Sequence, residues 1–293
     1  MFDVKQLRED IPVVVRAMDN IHDNTVFPLE QQAEESRNKR RMGLGVTGVA
    51  NAGEVLGYSY GSPEFLIWLE HVLETIRDHV YASSAVLAME KGAFPLYEAD
   101  KYLQAEFIQT LPEWVRNLIE QHGIRNSHLL SIAPTGTISL TADNVSSGIE
   151  PVFSHYYDRT IRTFDGERVE RVEDYAYREW GVKGKTAGEC TAQEHLGVLS
   201  VSSKYVDSSV SKTINVLPSI PWEDFKNIYI DAWKTGCKGC TTFNSGGKRF
   251  GILNVVDDGD SSAGVSGPDG NDASDSEALA CYIDPTTGVK ECS

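Results

Sequence analysis

Asn126-Ser-His-Leu-Leu-Ser-Ile-Ala-Pro-Thr-Gly-Thr-Ile-Ser139 is followed at once by Asn144-Val-Ser-Ser-Gly-Ile-Glu-Pro151. A short apolar run, Leu129 to Ile132, reads as a buried strand, and it ends in a turn of small and hydroxylated residues. Pro134 starts the turn, Gly136 lets the main chain come close to a partner, and the N–H groups after it can point at an anionic oxygen. Thr135, Thr137 and Ser139 add hydroxyls around Ile138. On residue types alone this is either a strand-to-loop anion site or a hydroxyl-rich turn that caps the next element.

The pattern around this stretch predicts strands alternating with helices. Residues 3–22 read as an amphipathic helix with Leu7, Ile11, Val14, Val15 and Met18 on one face. Pro28 interrupts, and residues 29–40 read as a polar helix with a basic last turn. Ser62 and Pro63 open a long helix to about Glu90, with Leu66, Leu69, Val72, Leu73, Ile76 and Val80 as its buried stripe. Pro112 opens another helix, ending near Gly123. Residues 152–163 and Val169 read as strands around the Asp165-Gly166 turn, with helices expected at 171–179 and 192–203. Residues 210–216 read as a strand, 221–235 as a helix and 240–243 as a strand. That alternation predicts an α/β fold with a largely parallel sheet. From Asp257 to about Ala278, Gly, Ser, Asp, Asn and Pro dominate. The expected organisation is therefore a packed domain over 1–256 and a flexible acidic tail over 257–293 carrying Cys281 and Cys292.

The chain has 293 residues, 41% of them hydrophobic, and a formal charge of -16. That charge argues against a nucleic-acid duplex or an anionic membrane as partner. No apolar run approaches a membrane span and the N-terminus lacks a signal-peptide layout, so the cytoplasm, of a bacterium or an infected host, is the expected location. Five cysteines, an odd count with no dense spacing, fit reduced or redox-active thiols better than a disulfide framework.

Three short motifs fail their wider requirements. Gly43-Leu-Gly-Val-Thr-Gly48 has G-x-G-x-x-G spacing, but the polar, basic Ser36 to Arg41 precedes it where a dinucleotide fold needs a buried strand. Gly184-Lys185-Thr186 resembles the end of a P-loop, yet the position that needs the first glycine is Glu179. Cys237 and Cys240 have no second pair of similar spacing, so two small buried residues are a better reading than zinc, and no metal site is expected. Two thiols on an acidic tether, Cys281 and Cys292, suit thiol–disulfide exchange with a buried site, or are incidental to a disordered tail.

Six blocks in order carry a family resemblance across roughly residues 1–255. They are Arg41 to Gly48, Gly92 to Tyr97, Asn126 to Ser139, Ser147 to Pro151, Val206 to Asn215 and Gly236 to Phe243. Together they closely resemble ribonucleotide reductases, in the Pro-Thr-Gly-Thr-Ile-Ser form of the adenosylcobalamin-dependent class II enzymes. The resemblance implies the ten-stranded α/β barrel of that family, of which this chain would be the C-terminal half. It implies that Pro134, Thr135, Gly136, Thr137, Ile138 and Ser139 bind substrate phosphate. Gly45, Asn126 and Glu150 would support them, with Asp207, Lys212 and Asn215 as further supporting candidates. Cys281 and Cys292 would form the C-terminal pair that re-reduces the active-site disulfide, although their spacing is wider than usual.

In the family a cysteine thiyl radical, in an Asn-x-Cys-x-Glu loop, abstracts the substrate's 3′-hydrogen. That motif is absent from this sequence. No catalytic residue is therefore expected in this chain. The radical cysteine is expected on a separate N-terminal half, from a split gene of a kind that would suit a bacteriophage. That half, a ribonucleotide, a thioredoxin-like reductant and shared adenosylcobalamin are the implied partners, with diphosphate and triphosphate substrates both open. A class I large subunit is the nearest rival, but Thr241-Thr242-Phe243-Asn244 cannot carry its tyrosyl relay. A non-catalytic nucleotide-binding or assembly subunit is the alternative from another class.

Overall fold

Ser62 and Pro63 begin the longest helix as their chemistry requires. The Ser62 hydroxyl accepts the Phe65 N–H at 3.2 Å, and Gly92, at φ 82°, ends the helix. The computed structural model describes residues 1–163, 166–244, 254–255, 281–283 and 290–292. It divides into two compact units, residues 1–256 and 257–293.

In the larger unit, α1 (Val4–Asn24), α2 (Glu30–Lys39) and α3 (Val49–Val55) precede that long helix, α4 (Pro63–Lys91). Two short turns of helix, α5 (Ala99–Leu103) and α6 (Glu106–Gln109), lead to α7 (Glu113–His122). α4 packs against α1 and α7, and its predicted stripe enters the core through Leu69, Val72, Leu73, Ile76 and Val80. Each such side chain contributes about 1.5–3 kcal/mol of burial. Leu66 is only partly buried at the edge of that core. The α1 stripe is narrower than its periodicity predicts. Ile11, Val15 and Asp19 are buried four residues apart, while Val14 is 43% exposed on the flank.

Four extended segments lie side by side and parallel, in the order 42–46, 128–132, 208–216 and 241–244. Single bridges join Leu44 to Leu130 and Ile132 to Val210, and a full parallel ladder joins β3 (Thr213–Val216) to β4 (Thr241–Asn244). The regular sheet is thus shorter than a half-barrel reading expects. One cause is a side chain in the place of a strand. The Asp207 carboxylate accepts the N–H groups of Leu129 at 2.7 Å and Leu130 at 3.1 Å, which a neighbouring backbone would otherwise take. α10 (Ala192–Lys204) and α11 (Trp222–Lys234) flank β3 and bury Leu196, Leu199, Ile214, Val216, Ile228 and Ala232 in a second small core.

After the short α8 (Ile138–Thr141), β1 (Tyr156–Thr163) and β2 (Gly166–Glu173) form an antiparallel hairpin, with β5 (Asn254–Val255) on the free edge of β1. The helix expected over 171–179 is corrected here. Residues 171–173 stay in β2, opposite Tyr156 to Asp158, and the helix α9 (Tyr175–Trp180) begins only after Asp174, whose carboxylate caps Tyr177 N–H at 3.1 Å.

In the smaller unit β6 (Cys281–Ile283) pairs antiparallel with β7 (Lys290–Cys292), in a register that sets Cys281 opposite Cys292. The expected linker, 257–277, lies outside the described residues. Among the described residues no helix is long and apolar enough to cross a membrane.

Candidate functional site

A cavity of about 420 Å³ opens where the parallel segments end. Pro134 and Gly136 follow the 128–132 segment into it, Thr213 and Asn215 reach it from β3, and Phe243 from β4. Ligands of parallel α/β sheets bind at these carboxyl ends, and the volume is that of a small-molecule site.

The turn at 134–139 is braced rather than loose. Thr135 sits at φ 53°, in the left-handed region that disfavours a β-branched residue. What holds it there is its hydroxyl, which accepts the Gly148 N–H at 2.7 Å and lies 3.0 Å from the Thr47 hydroxyl. Thr47 also donates to the Ser146 carbonyl at 3.0 Å. Ser139 is buried, with its hydroxyl 3.2 Å from that of Ser147 and 3.3 Å from the Gly136 carbonyl. Thr135 and Ser139 are therefore structural members of the turn. Gly136 faces open space, with nothing within 4 Å of where a side chain would begin. Thr137 precedes α8 as its N-terminal flank, and Ile138 is 63% exposed.

The supporting residues separate into two groups. Glu150 lines the cavity, and its two oxygens accept from Lys212 Nζ and Thr213 N–H, both at 2.6 Å. Asn215 also lines it and donates to the Ala187 carbonyl at 3.3 Å. Gly45 acts one layer back, where a Cβ would stand 2.5 Å from the Ser131 carbonyl oxygen. Gly43 and Gly45 of this G-x-G-x-x-G stretch thus serve close packing on the 128–132 segment, and Gly48 packs against Val145. Asn126 is not brought to the cavity. It is fully buried at the other end of that segment, donating to Asp19 Oδ1 at 3.1 Å and to the Arg40 carbonyl at 3.0 Å. Asp207 is likewise a scaffold group, bound to Tyr81 and the 129–130 backbone.

Residues that the sequence reading passed over line the cavity, as Asp174 and Tyr157 do, or brace it from behind, as Asn51 and Thr47 do. Asn51 donates to both Asp174 oxygens at 2.9 Å and accepts the Ser146 N–H at 2.6 Å. Burial raises the Asp174 pKa, against these hydrogen bonds. Tyr157 lines the cavity and donates to Asn144 at 3.1 Å. Thr47 was open to discovery, as the only hydroxyl in the glycine stretch. Asn51 and Asp174 carry no local signal, because 123 positions separate them.

Cys237 and Cys240 are half-buried free thiols beside the second small core, rather than fully buried residues. Among the described residues no group of three or more His, Cys, Asp or Glu is placed to hold a metal ion.

Comparison with known proteins meets this geometry. The family model described as ribonucleotide reductase, barrel domain, matches residues 1–184 and 183–243. The vitamin B12-dependent ribonucleoside-diphosphate reductase of Mycobacterium tuberculosis (strain H37Rv) is 30% identical over 282 residues, covering 87% of this chain and 37% of the relative. The enzyme of the same description from Thermoplasma acidophilum is 31% identical over 280 residues, covering 86% and 34%. The ribonucleoside-diphosphate reductase subunit alpha of Chlamydia muridarum is 28% identical, covering 80% and 27%. The chain thus spans between about a quarter and two fifths of the length of these relatives. The matched blocks include the braced turn and the cavity walls, and the chain belongs to the ribonucleotide reductase family, in its barrel domain.

Proposed function

We propose that this chain is the phosphate-binding part of a class II ribonucleotide reductase, which converts ribonucleotides to 2′-deoxyribonucleotides by thiyl-radical chemistry. The observation that carries the reading is the braced Pro134–Ser139 turn, whose Gly136 opens onto the cavity at the ends of the parallel segments. The names of the B12-dependent relatives favour a ribonucleoside diphosphate as substrate. The function lies in cytoplasm, where nucleotides are.

In this reading the chain contributes half of the ten-stranded barrel and holds the substrate, and a separate N-terminal part supplies the radical cysteine. Residues 134–139 receive the phosphates through main-chain N–H groups, with Gly45 and Glu150 as supports. The short parallel arrangement with outer segments 42–46 and 241–244 accords with a sheet continued by another chain.

Adenosylcobalamin is the radical source we assign, from the relatives' names. A cavity of about 420 Å³ is too small for a corrin macrocycle, so its lining does not by itself form the cofactor's site, which would be shared with the partner. Cys281 and Cys292 are assigned the role of redox pair, served by a thioredoxin-like reductant. Their opposition across β6 and β7 supports this, since facing positions in antiparallel strands bring Cα atoms to about 4.5–5.5 Å, within disulfide range.

The test is reconstitution. The chain is mixed with an N-terminal reductase part bearing Asn-x-Cys-x-Glu, adenosylcobalamin, dithiothreitol and cytidine diphosphate. Deoxycytidine product that needs both chains and the cobalamin supports the reading. A stable complex of the two chains without product refutes it and leaves a binding or assembly role.

A further inference from the structure

Behind the cavity lies a buried cation with a role still to be explained. The Lys212 side chain has no exposed surface. Its ammonium donates to Glu150 Oε2 at 2.6 Å, lies 3.0 Å from His195 Nδ1 and 3.4 Å from the Thr213 carbonyl oxygen, and sits 5.4 Å from the centre of the Tyr60 ring. Burial first, then the adjacent ammonium, pulls the His195 pKa down to about 4, so the ring is neutral. His195 Nε2 faces the Ala187 carbonyl oxygen at 3.4 Å and carries the proton, which leaves the Nδ1 lone pair toward Lys212. Three acceptors and an aromatic face thus surround a group with three N–H donors.

The cavity shows why a cation is needed there. Its lining includes two carboxylates, Glu150 and Asp174, and no Lys or Arg among the described residues. Asp174 is occupied by Asn51 and the Tyr177 N–H. Among the described residues, Glu150 is neutralised from behind, by Lys212. Its segment is also clamped: Tyr60 donates to the Ile149 carbonyl at 2.6 Å, and Gly148 N–H donates to Thr135. A charge change at Glu150 therefore reaches the anion turn both through space and through this backbone.

Resting on the phosphate-site reading above, we propose that Lys212 is a positioning residue for nucleotide binding: a buried counter-ion whose pairing with Glu150 lets a carboxylate-lined cavity accept a diphosphate. Without it, Glu150 presents an unpaired negative charge to an anionic ligand in a site of low dielectric.

Calorimetric titration of inorganic pyrophosphate and of cytidine diphosphate into the full chain tests this, with Lys212→Met, Glu150→Gln and the double variant alongside. Lys212→Met weakens both ligands about tenfold or more at pH 8. The double variant, with neither charge, binds within about threefold of the unaltered chain.

If the unaltered chain binds neither probe, the phosphate-site reading fails and this inference with it. If it binds and Lys212→Met binds equally well, or the double variant is as weak as the single one, Lys212 is a packing element and only the inference is overturned. Should Lys212→Met fail to fold by circular dichroism, Glu150→Gln, which keeps the cation, must bind more tightly than the double variant. Equal binding overturns the proposal.

Discussion

Asp19→Asn tests how the larger unit is held together. Asp19 is completely buried on α1 and draws in groups from three other regions of the chain. Oδ1 accepts from Arg40 Nε at 3.0 Å, Arg40 Nη2 at 2.8 Å and Asn126 Nδ2 at 3.1 Å, and Oδ2 from Lys91 Nζ at 3.0 Å and Arg125 Nε at 3.3 Å. Burial works to raise the Asp19 pKa, but hydrogen bonds from Arg40 and Lys91 outweigh it and bring it from 3.8 to about 2. That gap corresponds to roughly 2 kcal/mol of stability at neutral pH. The variant also leaves Arg40, only 5% exposed, with Asp23 as its remaining ion-pair partner. Removing one side of a buried pair costs about 3–5 kcal/mol when nothing compensates. With Asp23 retained, the expected loss is about 3 kcal/mol. The sign with pH follows from the depressed pKa. The carboxylate's contribution is complete above the unfolded value near 3.8 and disappears as pH falls through 2. Urea unfolding, read by tryptophan fluorescence and circular dichroism, should therefore show a constant difference between the two proteins from about pH 8 to 5 that shrinks below pH 4. A loss under about 1 kcal/mol at pH 7, or a difference that persists unchanged to pH 2.5, refutes the reasoning.

Glu54 gives the opposite pH dependence. Burial, outweighing hydrogen bonds from Lys185 and Tyr60 N–H, raises its pKa to about 7, so its effect on stability is favourable below pH 4.5 and is lost as pH rises through 7. Glu54→Gln should match the unaltered chain near pH 5 and exceed it by about 2 kcal/mol at pH 8; equal thermal midpoints at both pH values would count against this. Gly45→Ala drives a Cβ to 2.5 Å from the Ser131 carbonyl oxygen, and denaturant titration should show a loss of about 1–3 kcal/mol. Thr135→Ala removes the nearer of two acceptors for Gly148 N–H, leaving Thr47 Oγ1 at 3.2 Å, and should weaken cytidine diphosphate binding about tenfold while lowering stability by only about 1 kcal/mol, as titration calorimetry and urea unfolding can report.

Periodicity and caps were the legible part of this chain. Ser62-Pro63 announces α4, and Pro134-Thr-Gly-Thr137 announces a turn that follows a strand, because cap and turn chemistry acts within a few residues. The ordered blocks point to the family for a related reason, since each is a local backbone solution with its own residue requirements. The misread pieces were those whose state depends on a distant partner. Residues 171–173 are strand because β1 pairs with them. Val14 is exposed because the packed face of α1 advances by four residues, through Ile11 and Val15. Asn126, though inside the most informative stretch, faces Asp19 and not the cavity. The same contrast holds at the site. The hydroxyls of Thr135 and Ser139 are visible in the sequence, but whether they face a ligand or brace a loop depends on Thr47 and Ser147. Lys212 reads as one polar residue on a strand until Glu150, 62 positions away, and His195 close around its ammonium. Burial and long-range pairing set its role, because an ammonium's energy depends on the charges and acceptors within a few ångströms, and chain order does not say which those are.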